Sequence, residues 1–121
     1  MLEPGKTVLV VDDDREVREV ALAVLAAAGY RVIAATSGDD AYRLLLARSD
    51  MRIDVLFTDV AMPGRFDGVD LARAARLLRP GLPVLYATGL PNPVLREPVL
   101  RKPYRAAELC RAVIGLLGPA G

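Results

Sequence analysis

Hydrophobic and polar positions along this chain change period repeatedly, and each change marks an element. Thr7–Val11 is a continuous β-branched and leucine run, the pattern of a strand covered on both faces. From Asp14 the spacing lengthens. Val17, Val20, Ala21, Val24, Leu25 and Ala28 fall on one helical face, and Gly29 supplies the stop. Arg31–Ala35 reads as a second strand. Ser37, with Asp40 three residues on, opens a helix that turns Ala41, Leu44 and Leu45 inward. Ile53–Thr58 predicts a third strand, and Met62–Gly68 a loop rich in Pro and Gly. A helix over about 69–78 follows, with Leu71, Ala75 and Leu78 on one face and Pro80-Gly81 closing it. Pro83–Ala87 is a fourth strand and Val99–Arg101 a short fifth. Between them Pro91, Pro93 and Pro98 forbid a long regular helix. Tyr104–Leu117 is the last helix, with Leu109, Val113, Leu116 and Leu117 inward, and the tail Gly118–Gly121 reads as frayed.

Five strands alternating with helices predict an α/β fold, a doubly wound parallel sheet with helices on both faces. At 121 residues the chain is one domain, large enough for a single core without staples. Sixteen basic against fifteen acidic residues leave a net charge of +1, so no global field recruits nucleic acid or an anionic membrane. The apolar runs fall short of the ~20 residues of a membrane span, and the first residues lack a secretory-signal profile. One cysteine, Cys110, rules out an internal disulfide, and a reducing cytoplasm is the expected setting. The absence of histidine excludes Ser-His-Asp and Cys-His triads, His-ligated zinc and imidazole bases. Any chemistry must come from carboxylates, hydroxyls and amines.

In a parallel sheet the working residues belong at the carboxyl ends of strands, near a switch in strand order. Strand one ends in Asp12-Asp13-Asp14, strand three in Asp59, strand four in Thr88 and strand five in Lys102. Asp12, Asp13 and Asp59 at one rim repel one another, and a hard divalent cation such as Mg²⁺ relieves that repulsion. Lys102 adds a compact cation and Thr88 a hydroxyl. Such a set suits in-line phosphoryl transfer, which needs mostly positioning and charge stabilisation. Without histidine, a carboxylate is the best nucleophile available.

Val8-Leu9-Val10-Val11-Asp12-Asp13, Asp59 before Met62-Pro63, Thr88, and Lys102-Pro103, in this order, resemble the receiver domain of two-component response regulators. The resemblance runs from about residue 6 to 117 and makes 1–121 one receiver domain. It implies the flavodoxin-like strand order 2-1-3-4-5 and a cis Lys102–Pro103 peptide. Asp59 is then the phosphoacceptor. Asp13 and Asp59 ligate Mg²⁺ with the backbone carbonyl of Ala61, Asp12 supports the metal, and Thr88 and Lys102 bind the phosphoryl group. The donor is a histidine kinase or histidine phosphotransfer protein, since this chain has no histidine of its own. It is a switch acting on an output protein, not an enzyme beyond its own phosphorylation and slow dephosphorylation. It contacts neither nucleic acid nor membrane directly, and the sequence leaves monomer and weak dimer both open.

Two departures stand out. Pro63–Gly68 is one residue longer than the commonest pattern, and Lys102 follows Thr88 by only fourteen positions, so the fourth helix is expected to be shortened or irregular. Val99 also replaces the aromatic that many members carry three residues before this lysine. Two other functions compete: a degenerate receiver that only binds protein, and an aspartyl-nucleophile phosphatase. The second rests on Asp12-x-Asp14, which resembles the haloacid-dehalogenase start, but Arg15-Glu16 does not continue that pattern. Asp14 reads as a helix cap, Cys110 and Met62 as packing residues, Arg65-Phe66 as a solvated loop tip, and Arg73, Arg76 and Arg79 as a solvent face.

Overall fold

A computed structural model describes residues 5–90 and 95–118. The elements run β1 (Thr7–Val11), α1 (Arg15–Ala27), β2 (Arg31–Ala35), α2 (Gly38–Ala47), β3 (Val55–Asp59), α3 (Gly68–Leu78), β4 (Val84–Thr88), β5 (Val99–Arg101) and α4 (Ala106–Leu117). All strand pairs are parallel, in the order β2-β1-β3-β4-β5. The architecture is the doubly wound sheet that the alternation predicts.

The continuous apolar runs are explained by two cores. Alternate residues of β1, β3 and β4 point to opposite faces. Val8, Val10, Val55, Phe57, Leu85 and Ala87 meet Ala21 and Leu25 of α1 and Leu109 and Val113 of α4. Leu9, Val11, Leu56, Val84 and Tyr86 meet Ala41 and Leu45 of α2 and Leu71, Ala72 and Ala75 of α3. Every residue of these three central strands is buried, as a sheet sandwiched between helices requires.

Local signals hold where capping chemistry is explicit. Asp14 caps α1 through Val17 N–H, and Ser37 caps α2 through Asp40 N–H. Gly29 takes a positive φ of 97° just past α1, a conformation that favours glycine.

Several expectations need correction. β3 starts two residues later than expected and ends on Asp59 itself; just before it, Asp54 donates its N–H to the Thr7 carbonyl at 2.8 Å, and its side chain, where a strand would offer a carbonyl, accepts the Thr7 amide. The last helix begins at Ala106, because Tyr104 is drawn onto Phe57. Val20, Ala28 and Leu78 face solvent, since the helices they occupy bury a narrower stripe than the sequence suggested. Cys110 is half-buried and not a core residue. Arg76 and Arg79 are ties: Arg76 pairs with Glu97 and the Leu82 carbonyl, and Arg79 holds the carbonyls of Arg48 and Met51.

Between β4 and β5 the described residues, 89–90 and 95–98, form no helix, in keeping with the prolines. Pro91 and Pro93, like the tail beyond Gly118, lie outside the described residues. No described helix is long and apolar enough to cross a membrane.

Candidate functional site

Strand register brings the polar residues together. Val11 pairs with Thr58, so Asp12 and Asp59 occupy the next rung of two adjacent strands. Asp59 pairs with Ala87 and Thr88 with Arg101, which places Thr88 one residue beyond Asp59 and Lys102 one beyond Thr88's partner. The sheet's strand order reverses between β2-β1 and β3, and this is the crevice where open parallel sheets bind ligands.

Asp12, Asp13 and Asp59 each offer a carboxylate oxygen within 4.8 Å of the others. Asp12 and Asp59 are buried and Asp13 is exposed, so the cluster has two walls and an open side. Asp12 is fixed from three directions. Its Oδ1 accepts Asp14 N–H at 2.9 Å, its carbonyl accepts the Arg18 guanidinium at 2.9 Å, and its Oδ2 accepts Lys102 Nζ at 2.8 Å. Lys102 Nζ also stands 3.3 Å from Asp59 Oδ2. One ammonium therefore bridges the two buried carboxylates. The Lys102–Pro103 peptide is cis.

Charge and burial compete here. Burial raises the pKa of the Asp59 carboxyl above the ordinary carboxylate range; Lys102 pulls it down, while Asp12 and Asp13 push it further up. Burial works against the Lys102 ammonium, but its hydrogen bond to Asp12 and the charges of Asp12 and Asp59 outweigh that, and its pKa is raised. The Tyr104 phenol, whose ring meets Phe57 edge-on with centroids 5.7 Å apart, is pushed up to about 12 by burial, with the Asp12 charge adding to it.

Thr88 is buried, and its Oγ1 accepts Leu90 N–H at 3.1 Å, which orients the hydroxyl oxygen by the first turn of the following loop. Ala61 is exposed two residues after Asp59, in a loop whose base is closed by Gly68 N–H on the Val60 carbonyl at 2.8 Å. Gly68 has no room for a Cβ, which would collide with the Asp59 carbonyl. Met62 is buried against the α2–α3 core, as expected of a packing residue.

Sequence reasoning missed Arg18 and Tyr104. Arg18 lies one turn beyond the Asp14 cap, so an arginine there can reach back to the strand end. Tyr104 was assigned to the helix that it precedes. Beside the cluster lies an open, mainly apolar groove of about 440 Å³, lined by Glu16, Val17, Val20, Lys102, Pro103 and Tyr104. Val20 is 59% exposed at this groove.

The donor set fits a hard divalent cation. Three carboxylates converge, two of them buried, and the nearest compensating charge is a single lysine.

Comparison with known proteins bears on the family and the fold. The family model described as "Response regulator receiver domain" matches residues 8–113. The response regulator receiver protein CpdR of Brucella abortus is 32% identical over 120 residues, covering 93% of this chain and 97% of that protein. The chain spans about half the length of the response regulators MprA that it also matches, such as that of Mycobacterium leprae, at 50%. Among solved structures, a response regulator receiver protein from Sinorhizobium medicae superposes with a TM-score of 0.82 at 32% identity, covering 97% of both chains. The receiver domain of the hybrid histidine kinase CckA gives 0.79 at 35% identity, covering 92% of this chain and 98% of that one.

Proposed function

Because the chain belongs to the response regulator receiver domain family, we propose that Asp59 accepts a phosphoryl group from a phosphohistidine on a partner protein. The observation that carries this reading is the Lys102 bridge, which holds Asp12 and Asp59 side by side at the strand ends despite their mutual repulsion.

In this reading the Asp59 carboxylate attacks phosphorus in line. The new Oδ–P bond forms as the P–N bond to the donor imidazole breaks, and the imidazole leaves with the electron pair and takes up a proton. Lys102 then has an anionic oxygen to bind in place of Asp59, and its raised pKa keeps it charged for that purpose. Thr88 turns its hydroxyl proton toward the new phosphoryl oxygens, its oxygen already held by Leu90 N–H. Asp13, Asp59 and the Ala61 carbonyl would hold Mg²⁺, with Asp12 in support. When bound, the ion neutralises phosphoryl charge and aligns the oxygens. The apolar groove beside Lys102 receives the donor protein, with half-buried Val17 and exposed Val20 giving it a dry contact close to the acceptor.

The test is incubation with acetyl phosphate and Mg²⁺, followed by intact mass. A single acid-labile phosphate on the wild type, missing from Asp59→Asn, supports the reading. No phosphate on the wild type leaves a protein-binding module instead. Transfer from a panel of phosphorylated histidine kinases and phosphotransfer proteins then identifies the donor.

A further inference from the structure

The loop after Asp59 is anchored at its base by the sheet and at its tip by something else. Val60 N–H donates to the Ala87 carbonyl at 3.0 Å, and Gly68 N–H returns to Val60. Pro63, Gly64 and Arg65 at the tip are exposed, and Gly64 sits at a φ of +105°. What holds the tip is α2. Asp39 Oδ1 accepts both Arg65 N–H at 3.1 Å and Phe66 N–H at 3.2 Å. Tyr42, one turn further along α2, places its ring 5.2 Å from that of Phe66. Gly38, just before Asp39, has no space for a Cβ against the Phe66 backbone, and a Cβ on Gly64 would stand 3.0 Å from Asp39 Oδ1.

An acid in the first turn of a helix ordinarily serves the helix dipole. Here that work is done by the next residue: Asp40 closes the cap on Thr36 N–H while Ser37 caps Asp40. Asp39 reaches away from its own helix into a loop 26 residues on. We propose that Asp39 is a positioning residue for the phosphorylation site: one carboxylate oxygen, holding the amides of Arg65 and Phe66, keeps the loop over 60–67 in the conformation that presents Ala61 beside Asp59. The proposal rests on the reading of Asp59 and Ala61 given above. It makes α2 part of the site, although none of its side chains joins the acidic cluster.

The experiment is a titration with Mg²⁺ alone, followed by ¹⁵N amide shifts, on the wild type, Asp39→Ala, Asp39→Asn and Gly64→Ala. Amide exchange at Arg65 and Phe66 is measured on the same samples. In Asp39→Ala, Mg²⁺ binding weakens about 5- to 10-fold, near the low end for residues that orient metal ligands. The two amides also exchange roughly ten times faster. Asp39→Asn keeps the acceptor oxygen and stays within about threefold of wild type on both readings, since what it loses is charge assistance and not the bond. Gly64→Ala, which crowds Asp39 and strains the tip, shifts affinity in the same direction as Asp39→Ala, and it decides the matter if Asp39→Ala does not fold. Wild-type Mg²⁺ affinity in Asp39→Ala, or a loss in Asp39→Asn equal to that in Asp39→Ala, overturns the proposal alone. A wild type that neither binds Mg²⁺ nor takes phosphate from acetyl phosphate overturns the reading beneath it, and the proposal with it.

Discussion

The amide of Lys102 donates to the carbonyl of Thr88 at 2.8 Å, so two residues fourteen positions apart in the chain are tied at the open end of the sheet. The short, proline-rich connection between β4 and β5 therefore leaves both strand ends in register with Asp59.

Replacing Asp59 by Asn tests the cost of its charge. Folding disfavours the Asp59 carboxylate, so the folded protein keeps that proton to higher pH than the unfolded chain. The group's contribution to stability is full below the unfolded value and is lost as pH rises through the folded one. At pH 7 the variant escapes that loss, and its unfolding midpoint rises by roughly 2–5 °C, a modest gain for a domain this size. The gain shrinks toward pH 3. Thermal scans across that range check it, and an advantage that grows on acidification has the sign wrong.

Removing Lys102 exposes what it balances. Lys102→Ala leaves Asp12 and Asp59 without their shared cation, and stability falls by about 1–3 kcal/mol, less than for a fully buried pair because the lysine is partly solvated. Mg²⁺ then stabilises the variant more than it does the wild type. Denaturant melts with and without Mg²⁺ measure both effects; equal Mg²⁺ stabilisation in the two proteins would contradict the bridge.

Tyr104 gives an optical reading of the same rim. Its phenol ionises near 12, pushed there by burial and by Asp12. The unfolded chain loses that proton near the ordinary value of 10, so stability drains away between about pH 10 and 12. The difference in phenolate absorbance between wild type and Tyr104→Phe isolates this group among the four tyrosines. A step near pH 10 in that difference would show a solvated ring.

If the groove beside the site receives the donor protein as proposed, a substitution there separates docking from chemistry. Val20→Asp places a charge on the exposed apolar face of α1 and slows transfer from a phosphohistidine protein about 10-fold or more, while labelling by acetyl phosphate stays at the wild-type rate. Equal slowing of both reactions would mean that the residue acts on the site itself.

With Asp59 phosphorylated as proposed, the expectation is that water access sets how long the phosphate persists. Ala61 and Leu90 lie two residues beyond Asp59 and Thr88, and neither side chain can hydrogen-bond an attacking water. Both are exposed at the rim. Ala61→Asn with Leu90→Glu supplies such partners and speeds decay of the acyl phosphate about 10- to 100-fold. Decay is followed in Mg²⁺ buffer after the donor is removed. An unchanged rate in the double variant would sink this explanation.

Much of this molecule was legible in the chain. Continuous apolar runs flanked by helical spacing give the alternation of strands and helices, and that alternation with right-handed crossovers gives the parallel sheet. Asp12, Asp59 and Thr88 were legible because each sits where a buried strand ends, a position that the apolar run itself marks; Lys102 follows the short, partly exposed β5 and was legible from its order with the others. Asp14 and Ser37 were legible as caps because capping is local. What the sequence left open depends on which neighbours arrive. Tyr104 leaves its helix because Phe57, on a strand 47 residues away in sequence, offers it a surface. Arg76 and Arg79, read as a solvent face, find carbonyls and a carboxylate on other segments. Asp39 stands in the first turn of α2, but its carboxylate is taken up by the amides of Arg65 and Phe66 in the loop after β3. Periodicity and capping report contacts within a few residues; long, charged and aromatic side chains are assigned by the packing of distant elements, and only the tertiary structure decides that.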